Sequence, residues 1–391
     1  MANTLNLGNG NWGVKKDSLL GYNSENGNFK PLAFNFTRNG CCATVVNKDG
    51  LIETVGGDIP RIDFSNDAKG ALLLEPSRTN RMPNSEDGST WALSNITLSS
   101  LSGGLNKEYY QITSLGDTGR FSAVSNSWIN TTSATYTASV FAKKGTTDEI
   151  IITSRTGLST QDIYSVFNLT SGIVVSSNQV TGSIEPYSDG WYKCSITFTN
   201  SGGYTNFASF AFGFNFNSSS TDTLFVASPQ SEIGSYATSY IPTQGSAVTR
   251  SADSCLQGGF QDKNIFGSNQ GSAVFELKWD LASYVFDFND SSGIRIRIFK
   301  STSTWTIRDF GGAAWVNTGF TKYDNVKTKI GFKWNGTEFS TFQDGVKSSI
   351  VGTFASSMAI ESITTNKLNN TSNMQFYNTA LTDTELQALT K

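Results

Sequence analysis

The stretch Gly234-Ser-Tyr-Ala-Thr-Ser-Tyr-Ile-Pro-Thr-Gln-Gly-Ser-Ala-Val-Thr-Arg-Ser-Ala-Asp253 decides the fold of this chain. On local chemistry it reads as a strand that stops at Pro242, turns at Gly245 and re-enters an extended run to Arg250, because proline cannot donate to a ladder and glycine punctuates turns. Working outward, the residues before it form short extended runs: Tyr136-Thr-Ala-Ser-Val-Phe-Ala142, Glu149-Ile-Ile-Ile-Thr153, Ile163-Tyr-Ser-Val-Phe-Asn168, Trp191-Tyr-Lys-Cys-Ser-Ile-Thr-Phe198, Phe207-Ala-Ser-Phe-Ala-Phe-Gly-Phe214 and Thr223-Leu-Phe-Val-Ala227. Turns separate them every 8–15 residues or so and no helical period intervenes, the pattern of an antiparallel sandwich.

Composition narrows the class. Charged residues are 16% of the chain, against a usual ~25%, and Ser, Thr, Asn and Gly take their place. Such a surface suits an extracellular β-protein better than a cytosolic enzyme. An aromatic content of 12% supplies a core and argues against disorder. The net charge of −3 comes without a basic block, so nothing would neutralise a run of phosphates and nucleic-acid binding is not expected. No run approaches the ~18–20 apolar residues of a membrane span, and the start MANTLNLGNGNW lacks the basic and apolar parts of a secretory signal. An extracellular surface without such a signal fits a particle assembled in a cytoplasm and released by lysis.

Residues 84–250 resemble a module of bacteriophage and prophage tail and fibre proteins. In that family the pattern G-S-(F/Y)-A-T-S-Y-I-P-T closes a carbohydrate-binding-module-like jelly roll, as Gly234–Thr243 would here. Gly50-Leu-Ile-Glu-Thr-Val, Pro60-Arg-Ile-Asp-Phe, Gly70-Ala-Leu-Leu-Leu-Glu-Pro-Ser-Arg-Thr-Asn80, Asn84-Ser-Glu-Asp87 and Trp91 resemble its opening. Phe167-Asn-Leu-Thr-Ser-Gly172 and Ser188-Asp-Gly-Trp-Tyr192 resemble its FDLxTG and GWYR strands, with Asn168 and Lys193 at the usual Asp and Arg, positions of a hairpin turn or surface pair. The resemblance covers the first two thirds of the chain and implies a virion architecture; it names no ligand.

Residues 251–391 carry a second set of alternating strands, among them Ala273-Val-Phe-Glu-Leu-Lys-Trp279, Tyr284-Val-Phe-Asp-Phe288, Ile294-Arg-Ile-Arg-Ile-Phe299, Thr304-Trp-Thr-Ile-Arg308 and Thr328-Lys-Ile-Gly-Phe-Lys-Trp334. Asp344-Gly345 signals a hairpin. Thr382 with Glu385 forms a capping box for a short helix whose apolar face is Leu386 and Leu389. The order, and the ending Phe376-Tyr-Asn-Thr-Ala-Leu-Thr-Asp-Thr-Glu-Leu-Gln-Ala-Leu389, resemble a laminin-G or concanavalin-A-like sandwich. Residues 1–83 show short extended pieces split by turn chemistry, Asp49-Gly50 among them, and too few apolar residues for a core of their own. They read as a virion-anchoring and assembly segment ordered by other chains or by the following module, or else as a loop-rich cap on the central domain. The expected organisation is all-β: two antiparallel sandwiches, 84–250 and 251–391, after the segment 1–83.

The chain contains no histidine, which removes Ser-His-Asp, Cys-His and His-metal chemistry. No phosphate-cradling glycine loop occurs. Glu276 stands alone between Phe275 and Leu277, and Asp287 and Asp290 read as flanking a turn, so the paired carboxylates of a glycosidase are missing. Asp287, Asn289 and Asp290 offer hard oxygens that Ca²⁺ could use, or simply cap that turn. Of the four cysteines, Cys41 and Cys42 are adjacent and poor mutual partners. Cys194 shares a face with Tyr192, Ile196 and Phe198 as a buried thiol, and Cys255 falls in a linker. The functional candidates are aromatic, because sugar rings lie flat on exposed rings and need polar neighbours for their hydroxyls. Trp315, Tyr323 and Arg308 form that set. Trp305 belongs in the core if Ile307 faces inward, whereas Trp315, beyond Gly311-Gly312 and outside a clean strand, is better placed for exposure.

The resulting expectation is a non-enzymatic phage virion fibre or appendage protein without cofactor, docked through residues 1–83 to other virion proteins, trimeric, and attaching to a host-surface glycan. A ligand-free spacer or capsid decoration protein is the alternative, and a glycan-degrading enzyme ranks last.

Overall fold

The computed structural model describes residues 5–23, 27–40, 42–105, 107–116, 126–128, 134–156, 163–199, 208–214, 219–256, 269–278, 284–290, 293–300, 304–310, 314–321, 326–350, 352–354, 360, 362–364 and 371–391. They form antiparallel sheets with one α-helix, Asp383–Leu389. The all-β class read from strand alternation is the class observed. No helix among the described residues is long and apolar enough to cross a membrane. The chain divides into two compact units: residues 41–55 and 77–251 form one, and residues 1–40, 56–76 and 252–391 form the other. Residues 1–83 are thus shared between two units rather than standing as a segment. Local pattern reveals strands but not their partners, and these partners lie far along the chain.

In the unit 41–55/77–251, a six-stranded sheet runs in the order Ile96–Gly104, Lys107–Ser114, Thr223–Ile233, Thr135–Lys144, Trp191–Thr199, Thr181–Pro186. A five-stranded sheet faces it, ordered Asn126–Trp128, Ala208–Phe214, Glu149–Thr156, Ile163–Asn168, Ile173–Asn178. Ile150, Ile152, Phe167, Phe210 and Phe212 from the five-stranded sheet meet Tyr136, Val140, Ile196 and Val226 from the six-stranded one. Cys194 is buried among them as a free thiol, as alternation required. The opposite face of the six-stranded sheet carries Phe141, Trp191 and Ala227, covered by Ile52, Leu105 and Tyr240. Ile52 belongs to the hairpin Ala43–Val46/Ile52–Val55, whose Gly50 takes a positive φ of 76° as Asp49-Gly50 promised.

The segment Gly234–Ala247 is not a strand: the ladder ends at Ile233 and resumes only at Val248–Arg250, which pairs with Arg78–Asn80. Side chains replace the ladder. The Thr238 carbonyl accepts from Lys193 Nζ (2.6 Å), the Tyr240 carbonyl from Thr44 Oγ1 (2.6 Å) and the Ile241 carbonyl from Asn80 Nδ2 (2.8 Å). Gln230 Oε1 accepts from the Ile241 amide (2.7 Å), and the Glu232 carboxylate takes both the amide and the hydroxyl of Thr238 at 2.8 Å. Asn80 Oδ1 accepts from the amides of Met82 and Ser231, each at 3.1 Å. Thr238, Tyr240, Ile241 and Thr243 are buried, so the backbone groups they take into the interior need such partners. Lys193 is therefore not a surface residue: it is buried, with its ammonium 6.0 Å from the Phe141 ring centroid. Asn168 does serve a hairpin turn, its Oδ1 accepting from the amides of Thr170 (2.9 Å) and Ser171 (2.8 Å).

In the other unit the larger sheet runs Ser254–Leu256, Asn28–Thr37, Ser18–Asn23, Leu5–Gly8, Thr371–Tyr377, Gln270–Lys278, Lys327–Asn335, Glu338–Gln343, Val346–Lys347. Leu5 pairs with Phe376 and Gly8 with Asn373, so an early strand lies directly beside a late one. The smaller sheet is ordered Ala314–Thr321, Thr304–Asp309, Gly293–Lys300, Tyr284–Asp290, Ser362–Thr364. Between the two sheets Leu5, Leu7, Phe275, Phe286, Ile296, Ile298, Trp305, Ile307, Phe332 and Trp334 form one core. Trp305 is fully buried, as inward-facing Ile307 requires, and its Nε1 donates to Gln343 Oε1 at 2.9 Å. Asp344 and Gly345, both at positive φ, turn the expected hairpin. Thr382 and Glu385 form the expected capping box, and Leu386 is buried.

Two expectations about cysteine are corrected. Cys255 does not lie in a linker: it is buried in the strand Ser254–Leu256 against Phe36. Cys42, at φ 74°, is disulfide-bonded, its partner lying outside the described residues. The unit 1–40/56–76/252–391 buries an ion cluster. Asp253 accepts from Arg38 (2.9 Å), from Arg61 and from the Glu75 amide (2.8 Å), and Glu75 pairs with Arg61 at 2.9 Å.

Candidate functional site

Register across the smaller sheet of the unit 1–40/56–76/252–391 builds the candidate site. Thr364 stands opposite Asp287, Asp287 opposite Arg297, Arg297 opposite Arg308 and Arg308 opposite Trp315. The five strands thus place one residue each in a single cross-strand row, about 19 Å long at ~4.8 Å per strand. Phe286, Phe288, Ile296, Ile298, Trp305 and Ile307 point into the core, so by alternation Asp287, Arg297 and Arg308 point away from it.

Two guanidiniums in register repel unless something compensates them. Here Asp287 does so for one: its Oδ1 accepts from Arg297 Nε at 2.6 Å and its Oδ2 from Nη2 at 2.8 Å, a bidentate pair. Phe310 contributes the other element. Its ring centroid lies 4.5 Å from the Arg308 guanidinium carbon and 5.4 Å from that of Arg297, so one aromatic ring serves both cations. Arg308 and Phe310 are half-buried, and the Arg297 side chain keeps 23% exposure. Rigid planar donors beside an aromatic ring are the groups that suit a hydroxyl-rich ring, which needs a stacking surface and fixed hydrogen-bond partners at its rim.

Of the residues expected to form the site, Arg308 and Trp315 are brought together as register partners. Trp315 is the second residue of the strand Ala314–Thr321, not outside a strand as expected. Tyr323 lies outside the described residues. Asp287, Arg297 and Phe310 were not anticipated in this role. Asp287 sits within the strand Tyr284–Asp290 rather than beside a turn, and both its oxygens are engaged by Arg297. A bulge between Phe288 and Asn289 shifts the pairing by one residue and brings Asp287 opposite Arg297. Alternation of Ile294-Arg-Ile-Arg-Ile298 sets Arg297 on the face opposite Ile296 and Ile298, but a bulge leaves no such signature. Glu276 is held at the surface by Lys327 (3.0 Å) and Ser372 (2.9 Å).

No family model matches the chain, and no curated protein matches it. Solved structures similar to it include domain 4 of AbnA, a GH43 extracellular arabinanase from Geobacillus stearothermophilus, in complex with arabinotriose, at 13% identity and a TM-score of 0.28 over 36% of this chain and 73% of that one. The CBM40 of a Ruminococcus gnavus IT-sialidase bound to α2,6 sialyllactose matches at 15% identity and TM-score 0.26 over 32% of this chain and 85% of that one. The Trypanosoma rangeli sialidase in complex with sialic acid matches at 11% identity and TM-score 0.26 over 95% of this chain and 65% of that one. At these scores the likenesses carry no argument about ligand or activity.

Proposed function

We propose that this protein is a phage virion fibre or appendage component that attaches, without catalysis, to a saccharide on the host surface. The single observation that carries the binding reading is the register that sets Asp287 opposite Arg297, Arg297 opposite Arg308 and Arg308 opposite Trp315, with the Phe310 ring beside the two arginines. The ligand is a neutral or mildly charged sugar, since the bidentate pair with Asp287 neutralises Arg297. Virion placement rests on the resemblance of Gly234–Thr243 and the opening segments to phage modules, together with a Ser-, Thr- and Asn-rich chain with few charges. Non-catalytic action rests on a chain without histidine and on carboxylates held in ion pairs at Asp287 and Glu276. One ring with its hydrogen bonds yields a millimolar site, about 4 kcal/mol, and a trimer multiplies it by avidity.

The experiment is adsorption of the intact full-length chain to host cells and to a glycan array, with Arg308→Ala and Trp315→Ala beside the wild type. Both variants are expected to lose adsorption at least ten-fold; unchanged adsorption removes the site, and release of reducing sugar removes the non-enzymatic reading. Light scattering checks the trimer, which a mass of about 42 kDa at micromolar concentration would exclude.

A further inference from the structure

Lys193, Gln230 and Glu232 gather around Thr238, and all three are buried, at 6%, 1% and 0% exposure. Lys193 stands in the strand Trp191–Thr199 and Gln230 in the strand Thr223–Ile233, and Thr135–Lys144 runs between them, paired with both. Two strand spacings, about 10 Å, therefore separate their backbones. The side chains close that gap: Lys193 Nζ (2.6 Å) and Gln230 Nε2 (3.4 Å) donate to the same Thr238 carbonyl oxygen. The other group beside Nζ is the Phe141 ring, its centroid 6.0 Å away. Among the described residues no carboxylate lies within ion-pair distance of that ammonium, and a buried cation so placed is costly.

The Gln230 carboxamide is oriented by its partners. Its Oε1 accepts from the Ile241 amide at 2.7 Å, while Nε2 donates also to Glu232 Oε1 at 2.9 Å and to the Ser239 carbonyl at 3.3 Å. A donor at one end and acceptors at the other fix which atom is nitrogen. Glu232 is held in turn by the amide and hydroxyl of Thr238, each at 2.8 Å, and by Arg78 Nε at 3.5 Å.

We propose that Lys193 and Gln230 join in an isopeptide bond, with Glu232 moving the protons. Lys193 Nζ, as the free amine, attacks Gln230 Cδ. The Nζ–Cδ bond forms as the carbonyl π pair moves onto Oε1, where the Ile241 N–H faces the developing negative charge. Nζ gives one proton to Glu232, which already touches the neighbouring Nε2. Glu232 passes a proton to Nε2, the pair on Oε1 re-forms the carbonyl, the Cδ–Nε2 bond breaks and ammonia leaves. An amine and a primary amide thus become a secondary amide and ammonia, with no oxidant, reductant or cofactor consumed. The product replaces a buried ammonium by a neutral amide whose N–H can keep the Thr238 carbonyl that both nitrogens share. The bond ties two strands across a third, so neither can peel from the sheet alone, whatever the protein binds.

Intact mass spectrometry of the full-length protein, purified folded and then denatured, tests the bond. The wild type is expected to weigh one ammonia less than its sequence. A tryptic digest is expected to yield the peptides around Lys193 and Gln230 as one branched species, uncut after Lys193. This mapping separates the bond from ammonia lost at Asn-Gly pairs such as Asn9-Gly10, which leaves the two peptides linear. Lys193→Arg, which keeps the charge without the amine, is expected to carry its full sequence mass, and Glu232→Gln to lose ammonia at least ten-fold more slowly. A wild type that keeps its full mass on prolonged incubation overturns the bond, as does ammonia loss that maps elsewhere or persists in Lys193→Arg. Loss at the wild-type rate in Glu232→Gln overturns the part given to Glu232. The wild-type mass and digest decide the bond by themselves, so a variant that fails to fold leaves the test intact.

Discussion

Asn80 shows how much of this fold hangs on single polar side chains. It is fully buried, donates to the Ile241 carbonyl and accepts from two amides, so it stands in for backbone ladder where Gly234–Ala247 has none. Asn80→Ala leaves those groups buried without partners, at ~1–3 kcal/mol for each orphaned group. Urea unfolding is expected to show a loss of about 3 kcal/mol, and a loss under ~0.5 kcal/mol would mean the segment holds itself. Two thiols make a second case. Burial pushes Cys255 up to about 12 and raises Cys194 further, and a thiol that stays protonated is a poor nucleophile. Iodoacetamide at pH 8 should leave both unmodified in the native protein and alkylate both in urea; mass spectrometry of native protein carrying label at either would contradict the burial.

The C-terminal helix shows what an element needs beyond its own sequence. The capping box starts it and Leu386 anchors it, but seven residues are too few to stand alone. Asp383, its first residue, ties it to the sheet by accepting from Lys333 (2.5 Å) and Lys347 (2.7 Å). Those two hydrogen bonds hold the Asp383 carboxyl below the usual carboxylate range. A lowered folded pKa stabilises the protein above the unfolded value of about 3.9 and ceases to do so as pH falls through the lower folded value. With 42% of the side chain exposed, screening reduces the contribution to roughly 0.5 kcal/mol. Acid titration should therefore loosen the helix below about pH 4, read as faster amide exchange at Leu386–Thr390, and Asp383→Asn should show that faster exchange already at pH 7. Equal exchange in the two proteins at neutral pH would contradict the tie.

At the scale of the whole molecule, both units are discontinuous in sequence. The strand Thr371–Tyr377 has Leu5–Gly8 on one side and Gln270–Lys278 on the other, and Asp253 pairs with Arg38 and Arg61. Removing residues 1–83 therefore opens a sheet edge and leaves buried Asp253 uncompensated, at about 3–5 kcal/mol for a broken buried pair. A fragment 84–391 is expected to be insoluble or proteolysed within the residues 252–391, whereas the full chain resists. A soluble, protease-resistant fragment with an intact strand spectrum would show that the N-terminal strands are dispensable.

Alternation by itself determined the all-β class, the inward face of Trp305 and Ile307, and the partners of Cys194. Turn and cap chemistry determined the hairpins at Asp49-Gly50 and Asp344-Gly345 and the helix after Thr382. These are local properties, set by φ/ψ preference and by the two-residue repeat of a strand. Tertiary structure alone decided the rest: that Leu5–Gly8 lies beside Thr371–Tyr377, that a bulge brings Asp287 opposite Arg297, that Lys193 is buried, and that Gly234–Ala247 abandons the ladder for side-chain partners. Each depends on which distant groups arrive to satisfy a buried amide, carbonyl or charge, and no local pattern carries that pairing.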